Sequence, residues 1–382
     1  MGRGFTRLTL GLVVAIGCGR SRFDEIIDDA GAGDSGDSGD AVGDGTTTGD
    51  TTIMGTLVVN PVTLPSGSPP TARRATGAAV ASDNRVWVYG GFVGGVGAQN
   101  DLYAYTPGNG TWQMFTPSGV PGARERHTLA WDSADSVLVA FSGYSATLTH
   151  LNELYIYSPT ANAWTLIPVA GSWPAARKDA AMFWLPSQNQ MLLYGGNDGS
   201  GTANRYGDLW LLSINVAAPS ATWTLLTPGG ATAPKQSAAC AGYDAVGQRL
   251  ILFGGQTQDS TSVATTYQYL LATNVWQLDT PTGTVPSARS FSNCTWDPVA
   301  SRLFLYGGQD SAGTSLAGTY AYDPDAKRWD VLAPSMGSTA PGTLGDGGTA
   351  YSPALGAVFM FGGRTGASSY TNETRTYDLI YE

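Results

Sequence analysis

Three cysteines and two histidines are all that the 382 residues contain. That scarcity rules out a disulfide framework and leaves few soft ligands for a metal centre. Charged residues make up only 13% and the formal net charge is −10. A cationic surface is therefore missing, and no nucleic-acid partner is expected. Long hydrophobic runs are absent too: the longest, Leu8–Ile16, is too short to span a bilayer. The sequence has no nucleophile elbow, Walker loop, HExxH or Cys-x-x-Cys. No cofactor and no metal are expected, and the reading leans away from an enzyme. Turn formers are abundant instead, with 51 glycines and 21 prolines beside 42% apolar residues. Such a chain builds a real core with many turns and little helix.

One pattern organises the chain. Arg302-Leu-Phe-Leu-Tyr-Gly-Gly308 has five siblings, ending at Gly91, Gly143, Gly196, Gly255 and Gly363. Apolar, β-branched and aromatic residues before a glycine pair read as a buried strand and a tight turn. Each unit reads as four strands, a to d. Strand a follows a Pro-x-Arg-like lead-in, strand b is the pattern itself, and strand c is typified by Asp101-Leu-Tyr-Ala-Tyr105. Strand d opens with Trp112, Trp164, Trp223, Trp276 or Trp329. Units of about 40–50 residues with four strands each signal a β-propeller, so the fold class is all-β with six blades. The sixth unit has no tryptophan and ends after strand c. Counting back from Arg73 places Asn60 where that tryptophan should stand, so a strand within Leu57–Leu64 is expected to complete the last blade and remove an open edge.

The remaining segments read differently. Residues 1–18 combine Arg3 and Arg7, the apolar run and Ala15-Ile16-Gly17-Cys18, which makes a secretory signal. The ending resembles a bacterial lipobox, with Ala15 where leucine is usual, so Cys18 is the expected lipidation site. An ordinary secreted protein is the alternative, and Met1-Gly2 also fits a myristoylation pattern. Residues 19–55 are Gly, Asp, Ser and Thr with scarcely an apolar side chain, and read as a disordered acidic linker. The propeller occupies 56–382. The implied location is extracytoplasmic, on a bacterial envelope as a lipoprotein or secreted.

Apolar residues before Gly-Gly, a tyrosine on strand c and a tryptophan on strand d resemble the kelch family over residues 56–382. Departures are local: Ser142-Gly143 replaces Gly-Gly, and the sixth lead-in, Ala340-Pro341-Gly342, has no arginine. The resemblance implies a six-bladed propeller acting as a protein- or ligand-recognition module. It also keeps open an enzyme on the same scaffold, similar to sialic-acid mutarotase or galactose oxidase.

Strand alternation puts the b–c and d–a connections on one face, and the b–c loops are the longer set, as in Phe92–Asn100 and Tyr144–Asn152. Long loops on a rigid scaffold carry binding residues. Arg73, Arg124, Arg177, Lys235 and Arg289 stand at the strand a lead-ins on that face and would focus positive potential at the channel mouth. Guanidinium forks suit carboxylates and phosphates, and in kelch proteins that bind acidic peptides this position binds the ligand. These five are the candidate ligand-binding residues, for an unknown protein or an anionic ligand. The competing reading makes each arginine a repeat-wide strut. His127 and His150 are read as structural, because a galactose-oxidase-type copper centre needs two histidines, two tyrosines and a cysteine cross-linked to one of them. Cys240 and Cys294 lie on neighbouring first strands but differ by one place from their glycine pairs. Since alternate positions face opposite ways, two free buried thiols are expected. The protein is expected to act as a monomer, membrane-attached only through its lipid.

Overall fold

Alternation of apolar and β-branched residues produces strands wherever the repeat predicts them, and every regular element among the described residues is a strand. The computed structural model of the protein describes residues 56–61, 66–199, 204–334 and 342–380. The leader 1–18 with Cys18, the linker 19–55 and Ala340-Pro341 of the sixth lead-in lie outside the described residues. Six sheets, antiparallel through their four main strands, follow one another along the chain, and four of them carry a short parallel strand at the outer edge. Blade one, for example, runs Gly77–Val80, Val86–Tyr89, Leu102–Thr106 and Thr111–Phe115. The a strands of successive blades touch one another in a closed cycle, so they are innermost and line a central channel.

Ring closure follows the expectation. Thr56–Pro61 pairs antiparallel with Thr374–Ile380, from Thr56↔Ile380 to Pro61↔Arg375, and supplies the outer strand of blade six. The register is one residue off the count. Val59 faces Tyr377, the place that Trp164 takes opposite Tyr157 in blade two, so Asn60 is not the tryptophan's equivalent.

The strand d tryptophans are inter-blade packing. Each meets the aromatic that ends strand b of the preceding blade: Trp112 on Phe361, Trp164 on Tyr89, Trp223 on Phe141, Trp276 on Tyr194, Trp329 on Phe253. Ring centroids lie 4.8–5.5 Å apart in these pairs, an attractive aromatic spacing. Burying the indoles and strand b between blades supplies the main driving force for assembly.

The glycine pairs divide their work. The first member sits near φ +65°, an αL conformation that Ser142 also adopts at +65°. The second sits at 91–118°, and its amide donates to the next blade's lead-in carbonyl, as Gly143 does to Arg177 at 2.9 Å. Serine therefore survives at the first place, while a side chain on Gly143 would also strike Glu125 O at 2.9 Å.

One expectation fails. Cys240 and Cys294 form a disulfide between blades four and five. Their one-place offset, taken as an obstacle, is what the bond requires. Neighbouring blades present opposite faces to each other, so residues of opposite parity meet in the seam.

Candidate functional site

The lead-in cations come first. Arg73, Arg124, Arg177 and Arg289 are each at most 2% exposed. Arg177 donates to Asp208 through both terminal nitrogens at 2.7 and 2.8 Å, to Gly195 O at 2.8 Å and to Ala175 O at 3.0 Å. Arg73 repeats the arrangement on Asp101, and Arg124 on Glu153. The acid begins strand c of the same blade, so each arginine ties a lead-in to its own sheet rather than to the adjoining blade. Arg289 has no acid and donates to the carbonyls of Ser287, Gly307 and Ala317; burial lowers its pKa accordingly. These four guanidinium groups face their own blades' carbonyls and carboxylates, with no fork turned to the channel mouth.

Lys235 needs a correction of register. The amide of Gly196 donates to Gln236 O, as other second glycines donate to Arg124, Arg177 and Arg289. Gln236, 3% exposed, is therefore the arginine's counterpart, and Lys235 is exposed beside it. Gln236 stands thirteen residues after Trp223, as Arg177 does after Trp164, so the basic side chain falls one place before the buried position.

A different set of residues occupies the channel mouth. Two places beyond the lead-in position, each blade contributes one residue in the αL conformation: Ala75, Arg126, Asp179, Ala238, Phe291 and Asp346, with φ from 53° to 62°. Each amide donates to the carbonyl of the preceding blade's member, at 2.6–3.0 Å, and Ala75 donates back to Asp346. Six backbone hydrogen bonds thus close a ring around the axis. Left-handed geometry costs about 1 kcal/mol per non-glycine residue; the ring's hydrogen bonds offset it.

Side chains complete this cap. Arg126 reaches Asp179 at 2.8 Å and Asp346 at 2.7 Å. Its guanidinium lies 4.4 Å from the centre of the Phe291 ring, on the opposite side of the six-blade circle, so it crosses the axis. Arg74 adds contacts to Glu125 at 2.8 Å and Asp346 at 3.3 Å. Burial pushes the Glu125 and Asp346 carboxyls up from the ordinary carboxylate range, against the pull of Arg126 and Arg74. Burial opposes charge on Arg126 as well, but Asp346, Asp179 and Glu125 more than hold the proton on. The positive rim expected from the sequence is instead a matched network of cations and carboxylates.

Outside the cap, the b–c loops of blades six and one border a cleft of about 580 Å³. Phe92 and Tyr370 form its walls with ring centroids 6.1 Å apart, and Arg74 stacks on Phe92 at 4.6 Å. Of the histidines, His127 packs edge-on against Tyr89 beneath the cap and His150 against Tyr144 in a loop. Burial, reinforced by Arg124, drives His127 down to about 3, so its ring is neutral. Among the described residues no group of three or more His, Cys, Asp or Glu side chains could hold a metal ion.

The repeat-based reading missed two features. No residue type is common to the cap position of all six blades, so the repeat carried no signal for it. An aromatic near the end of strand a (Trp131, Trp184, Tyr243, Trp296, Tyr351) does recur and lines the channel; its signal was readable in the spacing before the a–b turn.

Comparison with known proteins gives a consistent picture. The profile of the KLHDC2/KLHL20/DRC7 Kelch-repeats domain matches residues 44–244 and 242–381. A leucine-zipper-like transcriptional regulator 1 homolog of Drosophila melanogaster is 25% identical over 330 residues, 81% of this chain and 31% of that protein. Multiple epidermal growth factor-like domains protein 8 of Mus musculus is 24% identical over 66% of this chain and 9% of its own length. Acyl-CoA-binding domain-containing protein 4 of Arabidopsis thaliana is 28% identical over 45% of this chain and 25% of its own. The chain thus spans less than a third of the length of these relatives.

Proposed function

Because the chain belongs to the kelch-repeat family, we propose that it is an extracytoplasmic recognition module that grips a protein partner with its b–c loop face. The carrying observation is the cleft walled by Phe92 and Tyr370 with Arg74 stacked between rings and carboxylates. Aromatic and arginine side chains in a preformed concavity are the usual anchors of an interface. Exposed Lys235, together with Arg74, favours a partner with acidic groups; Arg73, Arg124, Arg177 and Arg289 support such a site only by fixing the lead-ins. Attachment through a lipid on Cys18 agrees with the Cys240–Cys294 bond, since disulfides persist in oxidising compartments.

The test uses the full-length chain as bait against envelope extract, with cross-linking. Tyr370→Ala and Val93→Asp should lose the captured partner, while Val246→Asp on the a–b turns, where Val246 is 96% exposed, should retain it. The reverse pattern would move the interface to the other face. Cys18→Ser should release the protein from the membrane fraction.

Glu125 favours a second, catalytic reading. A carboxyl pushed up by burial beside two arginines suits a general acid acting on an anionic sugar. Anomer exchange of N-acetylneuraminate that is lost in Glu125→Gln would carry it.

A further inference from the structure

Below the cap the channel forms a blind pit of about 640 Å³, within the range of small-ligand sites. Its inner end stops at the ring of αL residues. Its open end lies among the a–b turns, where Ser133, Pro186 and Pro298 are exposed. Five blades place an aromatic at one shared register position. Trp131 faces Leu138 across its own sheet as Trp184 faces Met191, Tyr243 faces Leu250, Trp296 faces Leu303 and Tyr351 faces Val358. Blade one has Val80 there. Four of the five aromatics are half-buried, and Tyr243 is 8% exposed. Together they form a collar around the opening, above deeper walls of glycine and alanine such as Gly77, Ala180, Ala239 and Gly347.

Two further properties narrow what fits. Among the described residues no Asp, Glu, Lys or Arg lines the pit. A charged ligand would lose its hydration there and meet no counter-charge. The walls nevertheless present hydroxyls that a ligand can reach. Ser133 is exposed at the opening, and Ser292 and Thr295 are part-exposed along the wall. A purely hydrocarbon ligand would strip water from them and return no hydrogen bond.

We infer that the pit is a binding site for one terminal residue of a neutral saccharide. A pyranose has an apolar C–H face for the indole and phenol rings and hydroxyls at its edge for those of Ser133, Ser292 and Thr295. It carries no charge for which the pit lacks a partner. This site lies on the opposite side of the cap from the loop cleft and does not depend on it.

The experiment titrates the full-length protein with glucose, galactose, N-acetylglucosamine and their β-linked disaccharides, following saturation-transfer NMR and tryptophan emission. Glucuronate, N-acetylneuraminate and N-acetylprolinamide serve as charged and peptide-like probes. At least one neutral sugar should saturate and shift the tryptophan emission. Trp184→Ala and Trp296→Ala should weaken it at least about tenfold, the scale of one lost aromatic contact. Thr295→Val, which removes only a part-exposed wall hydroxyl, should weaken it several-fold while leaving the melting temperature near wild type. It decides the matter if the tryptophan variants do not fold. Tyr370→Ala, across the cap, should change nothing. The inference is overturned if no neutral sugar saturates, if Thr295→Val binds as wild type does, or if glucuronate or the prolinamide binds more tightly.

Discussion

The two ends of the central channel are built on opposite principles. At the loop face, side chains that vary from blade to blade meet over the axis, and Arg126 with Asp179 and Asp346 shuts it with charge. At the turn face, an aromatic recurs in five blades and leaves an uncharged opening. Symmetry thus makes the open end, and departure from symmetry makes the closed one. A guanidinium crossing the axis can come from only one blade at a time, because six like charges at that radius would repel one another.

The largest test of this contrast is to open the circle. Deleting Thr56–Pro61 strips blade six of its outer strand and exposes a sheet edge. Loss of the single cooperative thermal transition is expected. A deletion variant that melts as wild type does would mean the two ends are held by something other than ring closure.

A smaller effect is expected from removing charge at the closed end. Arg126→Met leaves Asp179 and Asp346 buried without their main partner, and stability should fall by about 3–5 kcal/mol. Urea unfolding at neutral pH reads this. Acidification should restore part of the loss, because the stranded Asp346 carboxyl, already raised by burial, can then take up a proton.

The smallest effect concerns His127, which lies between the two ends. Its folded pKa, near 3, is depressed below the ordinary 6.5. Between these values the unfolded chain binds a proton that the folded protein refuses. The contribution is complete above pH 6.5 and declines as pH falls towards 3, by about 1.4 kcal/mol per pH unit. Glu125 and Asp346 act with the opposite sign. Their folded pKa values are raised, so protonation as pH drops towards the carboxylate range favours the folded state. His127→Phe should therefore flatten the fall in melting temperature between pH 6 and 5, a range chosen on the same linkage argument. An unchanged slope would show that the imidazole is not the group refusing the proton.

Legibility in the sequence followed the same division. Blade number, strand order, inter-blade tryptophans and the borrowed outer strand all derive from residues that recur, and recurrence is visible without coordinates. The lead-in arginines were visible too, but their acid partners Asp101, Glu153 and Asp208 lie some 30 residues away, 28 to 31 by the hydrogen bonds they form. Only the fold shows that the arginines face inward. Lys235 was misassigned because it was matched by its charge, although Gln236 keeps the thirteen-residue spacing from Trp223. The disulfide was misjudged by treating strand parity within one sheet as though it held between two. The cap was illegible because its common property is a backbone angle, shared by alanine, arginine, aspartate and phenylalanine alike.

That circle of amides also acts as a gauge. Every member donates in the same rotational sense to the blade before it, so the loop has no terminus and no spare donor. A chain with a duplicated or missing repeat would have to close the same head-to-tail circuit at another circumference, where the reach of Arg126 to the far side would no longer match the span. Gain or loss of a blade, a common event in tandem arrays, is thereby penalised at the axis as well as at the rim.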